Sequence, residues 1–413
     1  MSAGELRLSA EERAMLAGEA GPALRKAMEI VVALGKIYGA ADLVAVKSVQ
    51  VAGVSYKNLG DAGLEFLEAW AAEGARARVP AMLNPAGMDL SRWRELGIPE
   101  SFARPQLAVI ETFRRMGVAL TLTCTPYLIG SRPAAGDHLA WSESSAVSFA
   151  NSVLGARSNR EGGPSALAAA FTGRTARYGL HLDENRRTTH SVDVRCAVRS
   201  VADLGALGTL VGRQVGAGVP YLRGLDLSWS RSVEDSLKSL GAAMAASGAV
   251  GLYHVEGVTP EAGRPDILSR SPATLVVDDL RPGYALLNSS LDEIDFVSLG
   301  CPHASLREVE EIAGWLAGKR VKALLWITLA EAVRQEAVRR GWAAQIEAAG
   351  GHLVADTCLV VAPVQALGVR SLATNSAKAA LYALSHSGLQ TRFGTTEQCL
   401  QAAVTGRWPG GAP

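Results

Sequence analysis

Residues 294–318 read IDFVSLGCPHASLREVEEIAGWLAG. An apolar, β-prone run closes on Gly300 and Cys301, a proline turns the chain aside, and a segment with apolar residues three and four apart follows, so the phrase spells strand, turn, helix. Other β-prone runs occur at 42–51 (DLVAVKSVQV), 118–124 (VALTLTC), 249–255 (AVGLYHV), 273–279 (ATLVVDD), 323–328 (ALLWIT) and 352–358 (HLVADTC). Between them lie helix-period stretches at 61–74, 144–154, 202–215 and 330–350, and such alternation predicts α/β layers on largely parallel sheets. The N-terminal stretch 9–39 reads as a helical opening, with Ser9 as N-cap and Glu12 as its capping-box partner. Polar, Gly-rich breaks at 129–143, 155–165, 178–191 and 256–272 suggest three α/β portions: 1–150 with Cys124, 151–262, and 263–413 with Cys301 and Cys358. The closing GRWPGGAP is expected to fray.

The chain has 413 residues, 48% of them hydrophobic and 20% charged, enough apolar material for a large core divided among several domains. Forty-one Lys+Arg against forty Asp+Glu leave a net charge of +1, which offers no general attraction to nucleic acid or acidic membranes. The opening MSAGELRLSAEE lacks the pattern of a secretory leader, and the longest apolar stretches are broken by Lys36 or Asp42 before membrane-spanning length. A cytoplasmic protein with no membrane or nucleic-acid partner is expected. Five cysteines without a CxxC pair fit neither a disulfide framework nor a zinc-finger spacing, so reduced thiols are expected.

Cys124, Cys301 and Cys358 each close an apolar run, and in parallel α/β sheets ligands gather beyond the carboxyl ends of strands. Three thiols far apart in sequence can therefore meet. Pro126 and Pro302 follow two of them and turn the chain off the strand. Three thiolates around a cubane iron–sulfur cluster leave one iron open as a Lewis acid, which suits the loss of hydroxide, a poor leaving group. Ordinary buried cysteines are the competing reading, and it fits Cys196 and Cys399 better.

Residues 124–186 gather many polar groups among glycines, a composition typical of functional loops. His138 and His181 are candidates for proton handling or loop organisation. Arg157 and Arg160 would either hold substrate or pair with Glu161 and Asp183, Ser144 would contact substrate or cap its helix, and Gly162-Gly163 opens a helix as an anion cradle. His303, beside Cys301, is expected to orient a ligand. Ser55, Asn58, Asn84 and Ser376 are further candidates, and Lys378 opposes the dipole of the helix it opens, as an anion-binding residue would.

The motifs GVSYKNLGDAG, NPAGMD, TCTPYLIG, GDHLAWSESSAVSFANSVLGARSNREGGPSALAAAFTG, YGLHLDENR, SLGCPHAS, ADTCLVV and TNSAKAALY together resemble the large subunit of the aconitase X family over residues 5–403. The resemblance implies an aconitase-like core of several parallel-sheet α/β domains without the swivel domain. It also implies a separate small swivel subunit whose serine is the catalytic base, and an iron–sulfur cluster on Cys124, Cys301 and Cys358, which we expect to be [4Fe-4S] with one open iron. Two activities belong to that family: dehydration of (R)-mevalonate 5-phosphate to trans-anhydromevalonate 5-phosphate in the archaeal modified mevalonate route, and dehydration of cis-3-hydroxy-L-proline. GVSYKNLGDAGLEFLE and MLNPAGMD are similar to the archaeal branch, so the phosphorylated acid is the expected substrate. His138, Glu143 and Lys378 are then expected to be catalytic, and Ser55, Asn58, Asn84, Ser144, Arg157, Asn159, Arg160 and Ser376 to bind substrate. An iron-sensing RNA-binding regulator is a remote alternative, disfavoured by the neutral charge.

Overall fold

The computed structural model describes residues 6–410. Three parallel sheets organise it, with a separate antiparallel pair, Leu43–Ala45 with Arg174–Ala176. In the first sheet Val49–Val51 lies between Ala81–Leu83 and Ala140–Trp141. The second runs in the order His254–Val255, Pro220–Arg223, His190–Val194, Ala273–Val277. The third runs His352–Ala355, Leu324–Leu329, Phe296–Leu299, Ser371–Thr374, Gln390–Phe393. Its chain enters at Phe296–Leu299, builds outward to one side, then returns to build on the other. The order therefore reverses between Phe296–Leu299 and Ser371–Thr374, and the loops leaving those two neighbours diverge and open a crevice.

Several expected elements take a different form. The opening divides into helices Ala10–Ala17 and Pro22–Ile37, because Gly18 at φ +86° ends the first; the Ser9–Glu12 capping box is present. The segment 330–350 likewise splits at Gly341. VALTLTC is an irregular extended segment: Ala119 and Thr123 bond along Ala81–Leu83, but Leu122 at φ +44° breaks the pleat. Cys301 and Cys358 lie in the turns beyond Phe296–Leu299 and His352–Ala355, not on the strands themselves.

The cores follow the sheets, and the sheets cross the boundaries expected from composition. Position 150 falls inside the helix Ser144–Ser152, and the helix Gly163–Thr172 packs on Pro22–Ile37 to complete the first core. Ala273–Val277 pairs with His190–Val194, which carries the second unit past residue 263. Near the C-terminus Trp408 packs on the third core and donates its backbone N–H to Asp292. The start of GRWPGGAP is thus tied down at Arg407, which bridges to Glu293, and at Trp408, while Gly410 is exposed; its last three residues lie outside the described ones.

Gly300, at φ +87°, is required by close approach: a Cβ there would lie 2.1 Å from the Thr328 carbonyl oxygen. That contact holds Cys301 tight against the end of the neighbouring strand.

Candidate active site

The crevice of the third sheet opens onto a cavity of roughly 210 Å3 whose lining includes Cys124, Cys301, Cys358, Asn84, Glu143, Ser144, Arg160, His303 and Lys378. Cys301 follows Phe296–Leu299 and Lys378 follows Ser371–Thr374, so the reversal of strand order places a thiol and an ammonium on facing loops. Cys358 arrives from the far edge of the same sheet, and Cys124 and Glu143 from the first sheet. The two units are stitched beside the cavity: Ala86 bonds the Asp356 carbonyl at 2.7 Å, and the Asp89 carboxylate accepts from the Ala355 N–H and from Arg334.

Glu143 and Lys378 form a largely buried ion pair. Glu143 also accepts from Asn84 Nδ2 at 2.7 Å, while Lys378 Nζ lies 3.4 Å from the hydroxyls of Ser144 and Ser145. Burial works against ionisation of Glu143, but the Lys378 charge and hydrogen bond, with Asn84 and Arg160, hold its carboxyl down at about 2. Burial likewise opposes the Lys378 charge, and Glu143 with the nearby thiols raises its pKa above the ordinary lysine value. At neutral pH the cavity thus holds a fixed ammonium and a fixed carboxylate, neither tuned to take up a proton from substrate.

The three thiols differ. Burial and the Glu143 charge push Cys124 up to about 12. A hydrogen bond from Cys358, aided by Lys378, holds Cys301 below its ordinary value, and the same contact together with burial pushes Cys358 up. Among the described residues no three His, Cys, Asp or Glu side chains surround one point as they would for a single ion; the thiols instead share the wall of one cavity. An all-sulfur donor set of this kind fits an iron–sulfur cluster.

Other expected site residues stand elsewhere. His138 lies at the opposite end of Ala140–Trp141 from Glu143, with its Nδ1 2.9 Å from His181 Nδ1. Arg157 bridges to His138, bonds the His181 carbonyl and pairs with Asp183; Arg160, three extended residues or about 10 Å further on, reaches the cavity. Asn159 is spent on the Tyr178 carbonyl and the Leu180 N–H. Asn58 is exposed on the first turn of the helix Tyr56–Ala72. Ser55 caps that helix and donates to the Val361 carbonyl at 2.9 Å, which fastens the loop after Cys358. Ser376 caps the helix Ala377–Ser387 beside Cys301. The cap of Ser144–Ser152 is Glu143, not Ser144.

Much of the polar density in 124–186 is cement between units. Arg186, fully buried, pairs with Glu261 and bonds the Asn151 and Leu180 carbonyls. Cys196 packs against the second core and Cys399 is buried within the third.

Sequence reading passed over Lys57, whose Nζ donates to the carbonyls of Ala362 and His386 at 3.3 and 3.2 Å, and over Tyr382 and His386, which line the cavity. Lys57 lies in the motif that supplies Ser55, and a lysine in the first turn of a capped helix was the available signal. Asp356, raised to about 7 by burial and by the Asp89 charge, had none.

Residues 5–184, 188–280 and 294–405 match the family domains described as Aconitase X first, second and third domain. The phosphomevalonate dehydratase large subunit of Methanothermobacter thermautotrophicus is 52% identical over 392 residues, covering 94% of this chain and 97% of that protein. The cis-3-hydroxy-L-proline dehydratase of Pseudomonas aeruginosa is 39% identical over 421 residues, covering 98% of this chain and 71% of that protein. The crystal structure of Thermococcus kodakaraensis aconitase X in its holo-form superimposes with a TM-score of 0.89 at 47% identity, covering 96% of this chain and 100% of that one.

Proposed function

Since the chain belongs to the aconitase X family, we propose that it is the large subunit of a phosphomevalonate dehydratase, a hydro-lyase that removes water from (R)-mevalonate 5-phosphate. The observation that carries this reading is the cavity in which three thiols from loops face a fixed ammonium–carboxylate pair. Cys124, Cys301 and Cys358 would hold an iron–sulfur cluster, of the [4Fe-4S] type with one open position. When bound, it supplies a Lewis acid that weakens the bond to the departing hydroxyl. Thiolate ligands need a reducing compartment, so we place the enzyme in the cytoplasm; among the described residues no helix is long and apolar enough to cross a membrane.

The chain's own residues bind and orient. Lys378, pinned by Glu143, offers a fixed positive charge to the substrate carboxylate, and Asn84 and Ser144 line the same wall. Arg160 is exposed at the mouth, where it can meet a dianionic phosphate. Loss of water takes the tertiary hydroxyl from one carbon and a proton from the carbon next to the carboxylate, giving trans-anhydromevalonate 5-phosphate. With the Glu143 carboxylate engaged by Lys378 and Asn84, and the Lys378 ammonium already carrying its proton, the base is assigned to a small swivel subunit contributing a serine. Support for a partner comes from the relatives' name, large subunit.

The test is to reconstitute the chain anaerobically, alone and with a co-expressed small subunit, and to offer both substrates. The expected result is almost no turnover by the chain alone and dehydration of the phosphorylated acid by the complex. Full activity of the single chain refutes the partner; turnover of cis-3-hydroxy-L-proline without the phosphorylated acid overturns the substrate.

A further inference from the structure

His303 is almost wholly buried, yet every polar atom it carries is engaged, and its partners come from all three family domains. Its ring Nε2 lies 2.7 Å from the carbonyl oxygen of Thr357, the residue before Cys358. A carbonyl only accepts, so Nε2 carries the proton and Nδ1 is the acceptor. Nδ1 lies 2.9 Å from Thr123 Oγ1, which therefore donates, and Thr123 precedes Cys124. The backbone N–H of His303 donates to Cys124 Sγ at 3.2 Å. Its carbonyl accepts from Lys238 Nζ at 3.3 Å, and that buried ammonium is paired with Asp235 and Glu308. His303 itself is two residues beyond Cys301.

We infer that His303 is the positioning residue that holds the loops of Cys124, Cys301 and Cys358 in register, with Lys238 of the second domain anchoring its carbonyl. The inference rests on the reading of those three cysteines as cluster ligands. The loops come from two different sheets, and no other residue described above touches all three. A fixed tautomer also gives the bridge a direction: Thr123 hydroxyl into Nδ1, Nε2–H out to Thr357. An aliphatic side chain could fill the space but could not make either bond. Outer partners of metal ligands of this sort fix ligand orientation and govern how firmly the metal is kept.

The experiment compares full-length wild type, His303→Ala, His303→Gln, Thr123→Val, Thr125→Val and Cys301→Ser, each reconstituted anaerobically with its small subunit. Iron per chain, the visible spectrum and the rate of iron loss to a ferrous chelator are measured, with melting of the cluster-free proteins as a control for folding. His303→Ala is expected to lose iron roughly tenfold faster than wild type, with an altered visible spectrum. His303→Gln, which retains a donor for Thr357, is expected to fall between the two. Thr123→Val removes the hydroxyl that donates to Nδ1, a hydroxyl that also accepts from the Thr125 N–H at 3.1 Å. Thr125→Val, which keeps that N–H and the Thr123 hydroxyl, is its control and should retain wild-type iron loss. Thr123→Val should speed iron loss in the same direction as His303→Ala and carries the test if the alanine variant does not fold. Wild-type iron loss and spectrum in His303→Ala, or in Thr123→Val where the alanine variant is not recovered, overturn the inference while leaving the ligand reading intact. If Cys301→Ser also keeps its iron, the ligand reading falls and the role of His303 with it.

Discussion

Replacing Glu143 by Gln preserves the size of the side chain and removes its charge, leaving the Lys378 ammonium in a pocket without its counter-charge, with only neutral acceptors, the amide oxygen and two hydroxyls at 3.4 Å, in reach. The Glu143 carboxyl is held at about 2 against an ordinary 4.5, a displacement worth about 3 kcal/mol of folding free energy at neutral pH. The cost of stranding one member of a buried pair, about 3–5 kcal/mol, is of the same size. Because the folded-state value lies below the unfolded one, this contribution is complete above about pH 4.5 and is lost as the pH falls toward 2. Urea unfolding of the cluster-free proteins, followed by tryptophan fluorescence, should therefore show Glu143→Gln less stable by about 3 kcal/mol at pH 7. The gap should narrow steadily on acidification below about pH 4.5. Lys378→Met in the Glu143→Gln background should recover part of the loss, since no charge then remains stranded. Equal midpoints at pH 7, or a gap independent of pH down to 3, would refute the pair as the source of the stability.

Serine at Cys124, Cys301 or Cys358 is expected to abolish the visible absorption and most of the bound iron, whereas Cys196→Ser and Cys399→Ser keep both; bleaching by either of the latter pair overturns the ligand assignment. Arg160→Ala is expected to leave the melting temperature within about 1 °C, since the side chain is exposed. It should also raise KM for the phosphorylated acid roughly tenfold to hundredfold, the worth of a charge-assisted hydrogen bond; an unchanged KM removes Arg160 from the substrate site.

Alternating strand and helix periods, recoverable from local pattern alone, determined the layered parallel architecture, because a strand and the helix that covers it are neighbours in sequence. The same locality made the Ser9–Glu12 capping box legible and put three thiols at the ends of apolar runs, in VALTLTC, IDFVSLGC and HLVADTC. What the sequence left open is which of those ends face one another. That is decided by strand order: the reversal between Phe296–Leu299 and Ser371–Thr374 brings Cys301 and Lys378 together, although no local pattern encodes that pairing. It is decided also by which end of a short strand a residue occupies. His138 and Glu143 are five positions apart on one segment, yet the strand between them sends one to His181 and the other to Lys378. Arg157 and Arg160 are separated in the same way, and composition, which scores both alike, cannot tell a residue that lines the cavity from one that cements two domains. The place of His303 beside Cys301 marked it as a ligand-orienting residue, but its partners belong to tertiary structure: Thr123, Thr357, Lys238 and Cys124 are scattered along the chain, and only packing brings the first two to its imidazole and the last two to its backbone.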